Sequence, residues 1–369
     1  MATRIEIDLA LCRRRQARLL ERIEPLRLDA VIVTRLENVQ WLAGPRFLWY
    51  FEPSFLLRAD GRATLVAPSS PPGVAAADDI RTYKAKSLST LRSDQRQRSV
   101  AELHRAMKEL ATPRRIGIEY SHCPPHMTTM VDAELVDVDA EIRALRRRKD
   151  PDELARIHRA IAATGAMYKR AREIIEPGIN ELNVFSQLQA AAVTELGEML
   201  TGTGNDYACG ERGGPPRDRL AQDGELYILD LGPAYQGYFA DNCRTFAVNR
   251  HPTDEQHATW EQIAAVFPLV ESTVKPGVSC RKLFEDVKAQ LDDYMPGSFR
   301  HHLGHGIGLF PHEIPYVNPN WDDRFEEGDV FTIEPGLYAP QLRAGIRLEN
   351  DYLVTSTGVE LLSDFPLEL

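Results

Sequence analysis

Five segments in the second half of this 369-residue chain place an ionisable residue where an apolar strand would exclude one. Asp230 ends the run Leu226-Tyr227-Ile228-Leu229, and Asp241 follows Gly237-Tyr238-Phe239-Ala240. His305 lies within Gly304-His305-Gly306-Ile307-Gly308, Glu334 follows Val330-Phe331-Thr332-Ile333, and Glu349 follows Ile346-Arg347-Leu348. Any one of these alone reads as a turn residue or an ordinary ion-pair partner. As a set they need neutralising cations, because unpaired buried carboxylates are prohibitively costly. Lys and Arg are sparse nearby, Arg244 and Arg347 being the nearest in sequence. Metal is the simplest source of the missing charge. Four carboxylates and one imidazole suit two divalent ions that share bridging carboxylates, and a donor set of oxygens with one nitrogen favours Mn, Fe, Co or Zn. Two such ions can polarise a carbonyl and generate hydroxide from water near neutral pH.

Strands must carry these residues, and the strand signals fall where they are needed: Leu226 to Leu231, Gly328 to Ile333, and Ile346 to Val354. Helical signals precede them. In Asp150-Pro151-Asp152-Glu153, Asp150 can cap, Pro151 fits the first helical position and Glu153 completes a capping box. Leu154, Ile157, Ile161 and Tyr168 then mark one helical face. Ile174-Ile175-Glu176-Pro177-Gly178-Ile179 recurs 99 residues later as Thr273-Val274-Lys275-Pro276-Gly277-Val278, and Phe185 matches Phe284. Unless this is a chance Pro-Gly loop, it indicates a duplicated helix–loop–helix unit.

The first half alternates helix and strand. Residues 7–25 suit an exposed helix, and Leu28 to Val33, Ala63 to Ala67 and Ile116 to Ile118 read as short buried strands. Ser99 with Glu102 predicts a capping box for a helix running to about Leu110, and Pro68 to Asp79 reads as a loop. This alternation predicts a small α/β domain. The basic run Arg146-Arg147-Arg148-Lys149 reads as a solvated linker, which sets two domains, 1–149 and 150–369.

Charge separates the two halves. Residues 1–149 hold 26 Lys+Arg against 19 Asp+Glu, a balance of +7, and the remainder holds 18 against 35, a balance of −17. The net −10 argues against a general nucleic-acid binder, and the acidic half can concentrate cations. With 43% hydrophobic and 27% charged residues, the chain is neither disordered nor collagen-like. Charges interleave the N-terminus from Arg4, so no signal peptide is expected. Apolar stretches such as Ala264 to Val270 fall far short of the ~20 residues that span a bilayer, so no membrane partner is expected either. Five scattered cysteines without a CxxC pair indicate neither a zinc knuckle nor a disulfide framework, and a cytoplasmic, reduced protein is expected.

The motifs Asp230-Leu-Gly, Tyr238-Phe-Ala-Asp241 with Arg244-Thr245-Phe246, His301-His-Leu-Gly-His305-Gly-Ile-Gly, Glu334-Pro-Gly-Leu-Tyr338 and Gly345-Ile-Arg347-Leu-Glu349 occur in order. Together they resemble the pita-bread metallopeptidase family, which includes aminopeptidase P, prolidase, methionine aminopeptidase and creatinase. Upstream, Leu28-Asp29-Ala30-Val31, Asn38 and Trp41-Leu-Ala-Gly44 resemble the amino-terminal domain of the creatinase and prolidase branch. The resemblance implies an α+β fold, a pita-bread catalytic domain preceded by a smaller α/β creatinase-like domain. It further implies a dinuclear centre in which Asp230 binds one ion, Asp241 and Glu349 bridge, and His305 and Glu334 complete the second ion's shell. His312 would contact the substrate and stabilise the tetrahedral intermediate, His301 would be a second pocket histidine, and Arg347 would orient the bridging glutamate. The implied activity is metal-dependent hydrolysis of an Xaa-Pro peptide or dipeptide, with two divalent ions, Mn foremost and Co, Zn or Fe as alternatives, in a homodimer.

The chain also departs from the family pattern. Gly213 stands where proline-directed members carry a substrate-facing histidine, about 17 residues before the first metal Asp. The loop from Cys209 to Arg219 is expected to be flexible and solvated, although Arg212, Arg217 or Arg219 could meet an anionic substrate group. His302 replaces a usual glycine and is expected to face solvent, Cys243 replaces a threonine as a small packing swap, and Asn350 replaces an aspartate. His104, His122, His126, His158, His251 and His257 lack ligand spacing. Two rivals follow: a non-peptide amide hydrolase or lyase acting on a small zwitterion, and a binding scaffold without catalysis. Gly232 occupies the position of an extra Asp in the lyase branch, which weighs against a lyase.

Overall fold

Val31, Ile32 and Val33 leave no polar side chain to face water, and Ala30–Val33 accordingly forms a fully buried inner strand of a six-stranded sheet. The computed structural model describes residues 4–109, 113–204, 206–367 and 369. They divide into two units, Ile5–Arg146 and Arg147–Leu369, the latter also including Arg4.

In the first unit, Ala30–Val33 pairs antiparallel with Ser54–Arg58 and parallel with Arg115–Ile118. Ala63–Pro68, Asp79–Tyr83 and Glu134–Asp137 complete the mixed sheet. The three expected strands and the 68–79 connection are therefore present. The first helix, Leu9–Ile23, is less exposed than its charge suggested. It buries Cys12, Arg15, Gln16, Leu19 and Ile23, and Arg15 Nε donates to the Trp41 carbonyl at 2.7 Å. The capping box at Ser99 is a misreading. The helix is Gln95–Met107, so Ser99 lies inside it, buried, with its hydroxyl 2.7 Å from that of Ser54. Val100, Leu103 and Met107 set the helix phase by joining the core beneath the sheet. The expected end near Leu110 lies outside the described residues.

The second unit opens with Pro151–Ile174, which starts with the capping box at Asp150 and Glu153. The 99-residue repeat is structural. Pro151–Ile174 leads into Glu181–Leu196 through Gly178 at φ +91°, and Val266–Thr273 leads into Cys280–Tyr294 through Gly277 at φ +90°. Asn180 caps one following helix and Ser279 the other. Each loop also pairs with a later segment, through the bridges Asn180↔Leu220 and Ser279↔Arg324. Between and after these helices come a ribbon of Leu226–Leu231 with Asn242–Ala247 and a five-stranded sheet. That sheet runs Glu313–Val317, Gly304–Gly306, Val330–Ile333, Asn350–Val354, Val359–Leu361. Aromatic and branched residues from helices and sheet share one core, including Phe267, Phe284, Phe299, Phe325, Phe331 and Tyr352. No helix among the described residues is long and apolar enough to cross a membrane.

The basic run at 146–149 is not a solvated linker. Arg146, Arg147 and Lys149 are buried, and each has an oxygen partner that offsets the desolvation of its charge. Arg146 donates to Asn38 Oδ1 at 2.8 Å. Arg147 forks onto Asp329 at 2.9 and 2.7 Å, and Lys149 pairs with Glu313 at 3.2 Å.

Candidate metal centre

The 11-residue spacing of the two aspartates is the length of a strand exit, a hairpin and a return. Asp230 lies in Leu226–Leu231, opposite Cys243, and Asp241 immediately precedes Asn242–Ala247. Between them, Ala234–Tyr235 pairs with Tyr238–Phe239 around Gln236 and Gly237, both at positive φ, as a two-residue hairpin turn requires. Cross-strand partners share a face and alternate residues return to it, so Asp241, two residues before Cys243, shares the face of Asp230.

The two glutamates are placed by register. Ile333 pairs with Asn350 at the end of the antiparallel ladder, so Glu334 and Glu349 are the next residues outward and face each other. Glu349 is carried to the aspartates by its backbone: its N–H donates to Cys243 O at 2.9 Å, and its carbonyl accepts from Asn242 Nδ2 at 2.6 Å and from Arg244 Nη1 at 2.5 Å. His305 comes from the adjoining strand. Its Nδ1 lies 3.1 Å from the Gly306 carbonyl, which leaves Nε2 toward Asp241 at 3.8 Å and Glu334 at 3.5 Å.

Two donor groups result, with ligand atoms within 4.8 Å of one another in each. One is Asp230, Asp241 and Glu349, the other is His305, Glu334 and Glu349, and Glu349 belongs to both. Asp241 also groups with His305 and His312. Electrostatics make the need for cations plain. Burial pushes Asp230 up to about 6 even with Arg347 beside it, and burial followed by neighbouring carboxylates pushes Asp241 and Glu349 well above the usual range. Burial lowers His305 to about 3, so its imidazole is neutral and open to ligation. Glu349 Oε2 is buried with no hydrogen-bond partner. A buried, unpartnered carboxylate oxygen among oxygen donors and a neutral imidazole is the environment a hard or borderline divalent cation fits.

His312, His301 and Arg347 surround this cluster. His312 stacks on His305 with ring centroids 3.7 Å apart and 13° between planes, on the exposed side. His301 Nε2 lies 3.2 Å from the Tyr338 hydroxyl. The expected contact of Arg347 with Glu349 is absent among the described residues. Arg347 Nη2 instead donates to Asp230 Oδ2 and Asp206 Oδ2, each at 2.6 Å, and its Nη1 donates to the Tyr338 hydroxyl at 3.1 Å. The chain changes sheets at Leu348–Glu349, between Ile346–Arg347 and Asn350–Val354, which removes the shared face that two residues of one continuous strand would have.

Two further residues of the site, His302 and Asp206, were not legible as such. His302, expected in solvent, is part-buried with Nε2 2.7 Å from Glu334 Oε1. Asp206 bridges to Asp230 through backbone pairing and shares Arg347 with it. Its carboxylate also fills the space beside Gly213: a Cβ there would come 2.4 Å from Asp206 Oδ2, at φ +155°. The 209–219 loop is not loosely solvated. Arg217 donates twice to the fully buried Glu181 from its guanidinium, at 3.0 and 2.7 Å, and Arg219 pairs with Glu225. Arg212 alone of its three arginines lines the cavity. Cys243 is buried with its thiol pushed up, first by burial, which agrees with a packing role. The exchanged Asn350 accepts from Arg244 Nη2 at 2.9 Å. Among the described residues, the other six histidines join none of the metal-competent groups.

Comparison with known proteins adds an independent line. Residues 155–356 match the sequence model of metallopeptidase family M24, and residues 15–148 match that of the creatinase/prolidase N-terminal domain. An uncharacterized peptidase of Staphylococcus epidermidis is 32% identical over 238 residues, 62% of this chain. The match spans 66% of that relative's length. An Xaa-Pro dipeptidase from Bacillus anthracis superposes with a TM-score of 0.83 at 23% identity, over 97% of this chain and 99% of that one. A prolidase from Pyrococcus horikoshii gives 0.79 at 24% identity, over 96% and 99%. At these identities the likeness shows the fold: a pita-bread domain preceded by a creatinase-like α/β domain.

Proposed function

Because this chain belongs to metallopeptidase family M24, we propose that it hydrolyses amide bonds in short peptides, with Xaa-Pro dipeptides or Xaa-Pro peptide N-termini as substrates. Two divalent ions would be held by Asp230, Asp241, His305, Glu334 and Glu349. The observation that carries this reading is the pair of donor groups sharing Glu349, one of whose oxygens is buried and unpartnered. When bound, such ions polarise a carbonyl and bring the pKa of water toward neutrality.

The chain's own residues supply the rest. Arg347 holds Asp230 and Asp206 in place, and Tyr338 ties Arg347 to His301. Burial lowers His301 to about 4 and also lowers His312, so both are neutral at pH 7. A neutral imidazole offers one N–H to a carbonyl oxygen on which charge develops, the role assigned to His312. His301, with Nδ1 2.7 Å from the His302 carbonyl and Nε2 on Tyr338, is fixed in orientation as a wall of the substrate cavity. The oxygen-rich donor set favours Mn over thiolate-seeking metals. All five cysteines are free thiols, which supports a reducing compartment such as the cytoplasm. A homodimer belongs to the same reading and is read by light scattering.

The test is to strip the protein with a chelator and reload it with Mn, Co, Zn or Fe. It is then assayed on Xaa-Pro dipeptides, longer Xaa-Pro peptides and non-peptide amides. Xaa-Pro turnover with two bound metal equivalents, lost in Asp241→Ala, is the expected result. Tight binding of two equivalents with turnover only of non-peptide amides would replace the peptide reading. Fewer than two equivalents would remove the dinuclear one.

A further inference from the structure

A cavity of about 550 Å³ contains both Asp230 and Glu334 of the metal centre and, on its wall, the exposed Arg212. Arg212 differs from every other cation nearby. Arg217 and Arg219 are committed to Glu181 and Glu225, and Arg347 divides its charge between Asp206 and Asp230. Arg212 has no carboxylate partner among the described residues. It is nevertheless held: its guanidinium carbon lies 4.5 Å above the centre of the Tyr338 ring, and its carbonyl accepts from Arg347 Nη1 at 3.2 Å. A guanidinium held over a ring face by cation–π attraction still has its N–H donors, whose fork matches a carboxylate with two parallel hydrogen bonds. Its partial fixation also reduces the entropy lost on binding.

We infer that Arg212 binds the C-terminal carboxylate of the residue following the scissile bond, so that the substrates are dipeptides with a free carboxylate. This rests on the peptide-hydrolysis reading above and narrows it. Gly213 has no side chain to take that task, and Asp206 fills the space where one would go. The single Tyr338 side chain separates Arg212 from Arg347, and Arg347 touches Asp230. Arg212 and Asp230 line the same cavity, so one small substrate can present its amide carbonyl to the metal centre and its carboxylate to Arg212. A longer peptide places a neutral amide at that point, which leaves the guanidinium without its charge partner.

The test compares Ala-Pro with Ala-Pro-amide on the metal-loaded wild type, Arg212→Ala and Arg212→Lys. Wild type is expected to favour the free acid in kcat/KM by about tenfold to a hundredfold, the worth of a charge-assisted hydrogen-bond pair. Arg212→Ala should bring the free acid down to the amide's value, chiefly through KM, and Arg212→Lys should restore part of the difference. Equal turnover of acid and amide by wild type, or an equal loss on both in Arg212→Ala, overturns the proposal. If neither compound is hydrolysed, the peptide reading fails separately, and calorimetry with proline against prolinamide decides Arg212. A carboxylate preference lost in Arg212→Ala upholds the arginine, and its absence removes it.

Discussion

His302 Nε2 lies 2.7 Å from Glu334 Oε1, nearer than the 3.5 Å that separates His305 Nε2 from the same oxygen. One carboxylate oxygen thus serves two imidazoles that behave differently. Burial opposes charge on His302, but the hydrogen bond and negative charge of Glu334 outweigh it and raise that imidazole. His305 is driven the other way by burial, to about 3. Glu334, despite burial, is drawn down to about 2, with the His302 hydrogen bond the leading cause of the fall. In the metal-free protein, Glu334 is therefore held as an anion, with its orientation set from a neighbouring side chain.

That contact has a measurable consequence. A neighbour that fixes a ligand carboxylate is worth about tenfold to a hundredfold in metal affinity. His302→Ala is expected to weaken Mn binding by that factor, as read by calorimetric titration of the stripped protein. Unchanged affinity would show that the contact carries nothing, and tighter binding would show that His302 competes with the ion for Glu334.

Arg347 supports the centre electrostatically through Asp230 and Asp206. Its side chain is 9% exposed, against 20% for Asp230 and 23% for Asp206. Arg347→Ala leaves two largely buried carboxylates without their shared cation, a loss of about 3 to 5 kcal/mol. The expected result is a fall of that size in urea-unfolding stability of the stripped protein. Asp206→Asn, which leaves the Asp230 pair intact, should cost less. An Arg347→Ala protein as stable as wild type would show that solvent already screens the pair.

The five carboxylate and imidazole positions were legible because strands alternate and end abruptly, so a charged residue at an apolar run's edge stands out. Asp230, Asp241 and Glu334 each occupy such an edge. His302 and Asp206 carry no such mark. They lie outside regular strands, where no period reports which way a side chain points. The contact of Arg347 with Glu349 was implied by the family resemblance rather than by the residues themselves, and the change of sheet at Leu348–Glu349 turns the two side chains apart. Ser99 shows the same limit in helices: Ser and Glu three apart match a cap, yet the apolar stripe of Val100, Leu103 and Met107 continues past them. The basic run at 146–149 was read by composition alone, which is blind to the buried acids Asp329 and Glu313 far away in sequence.

The pH dependence of the stripped protein follows from the raised carboxylates. Asp230 titrates near 6 when folded and near about 3.9 when unfolded, and Asp241 and Glu349 are raised as well. Between those values the folded state binds more protons than the unfolded one, so stability falls as pH rises. The penalty is absent below the unfolded values and, for Asp230, complete above about 6. Thermal unfolding of the stripped protein should therefore show a lower Tm at pH 7.5 than at pH 5 from this source. Metal binding must displace these protons. Mn at a hundredfold excess over its Kd should add about 2.7 kcal/mol at pH 7.5. Calorimetry in buffers of different ionisation enthalpy should register proton release on Mn uptake near pH 6. No proton release would mean that the carboxylates are already ionised before metal arrives.

Restoring a histidine at 213 tests whether the departure there is a simple exchange. Gly213 is at φ +155°, a conformation that side-chain-bearing residues rarely adopt, and its missing Cβ would meet Asp206 Oδ2 at 2.4 Å. Asp206 cannot swing away without leaving Arg347 and the Gly214 N–H, which it holds at 2.6 and 2.7 Å. Gly213→Ala should therefore destabilise by about 1 to 3 kcal/mol through backbone strain alone, and Gly213→His by more. Pairing Gly213→His with Asp206→Ala removes the collision but not the strain, so it should recover only part of the loss. Urea unfolding of the three variants decides the point. If Gly213→His folds as stably as wild type, the loop re-forms around the ring, and Asp206 is a replaceable neighbour rather than the residue that fills the histidine's place.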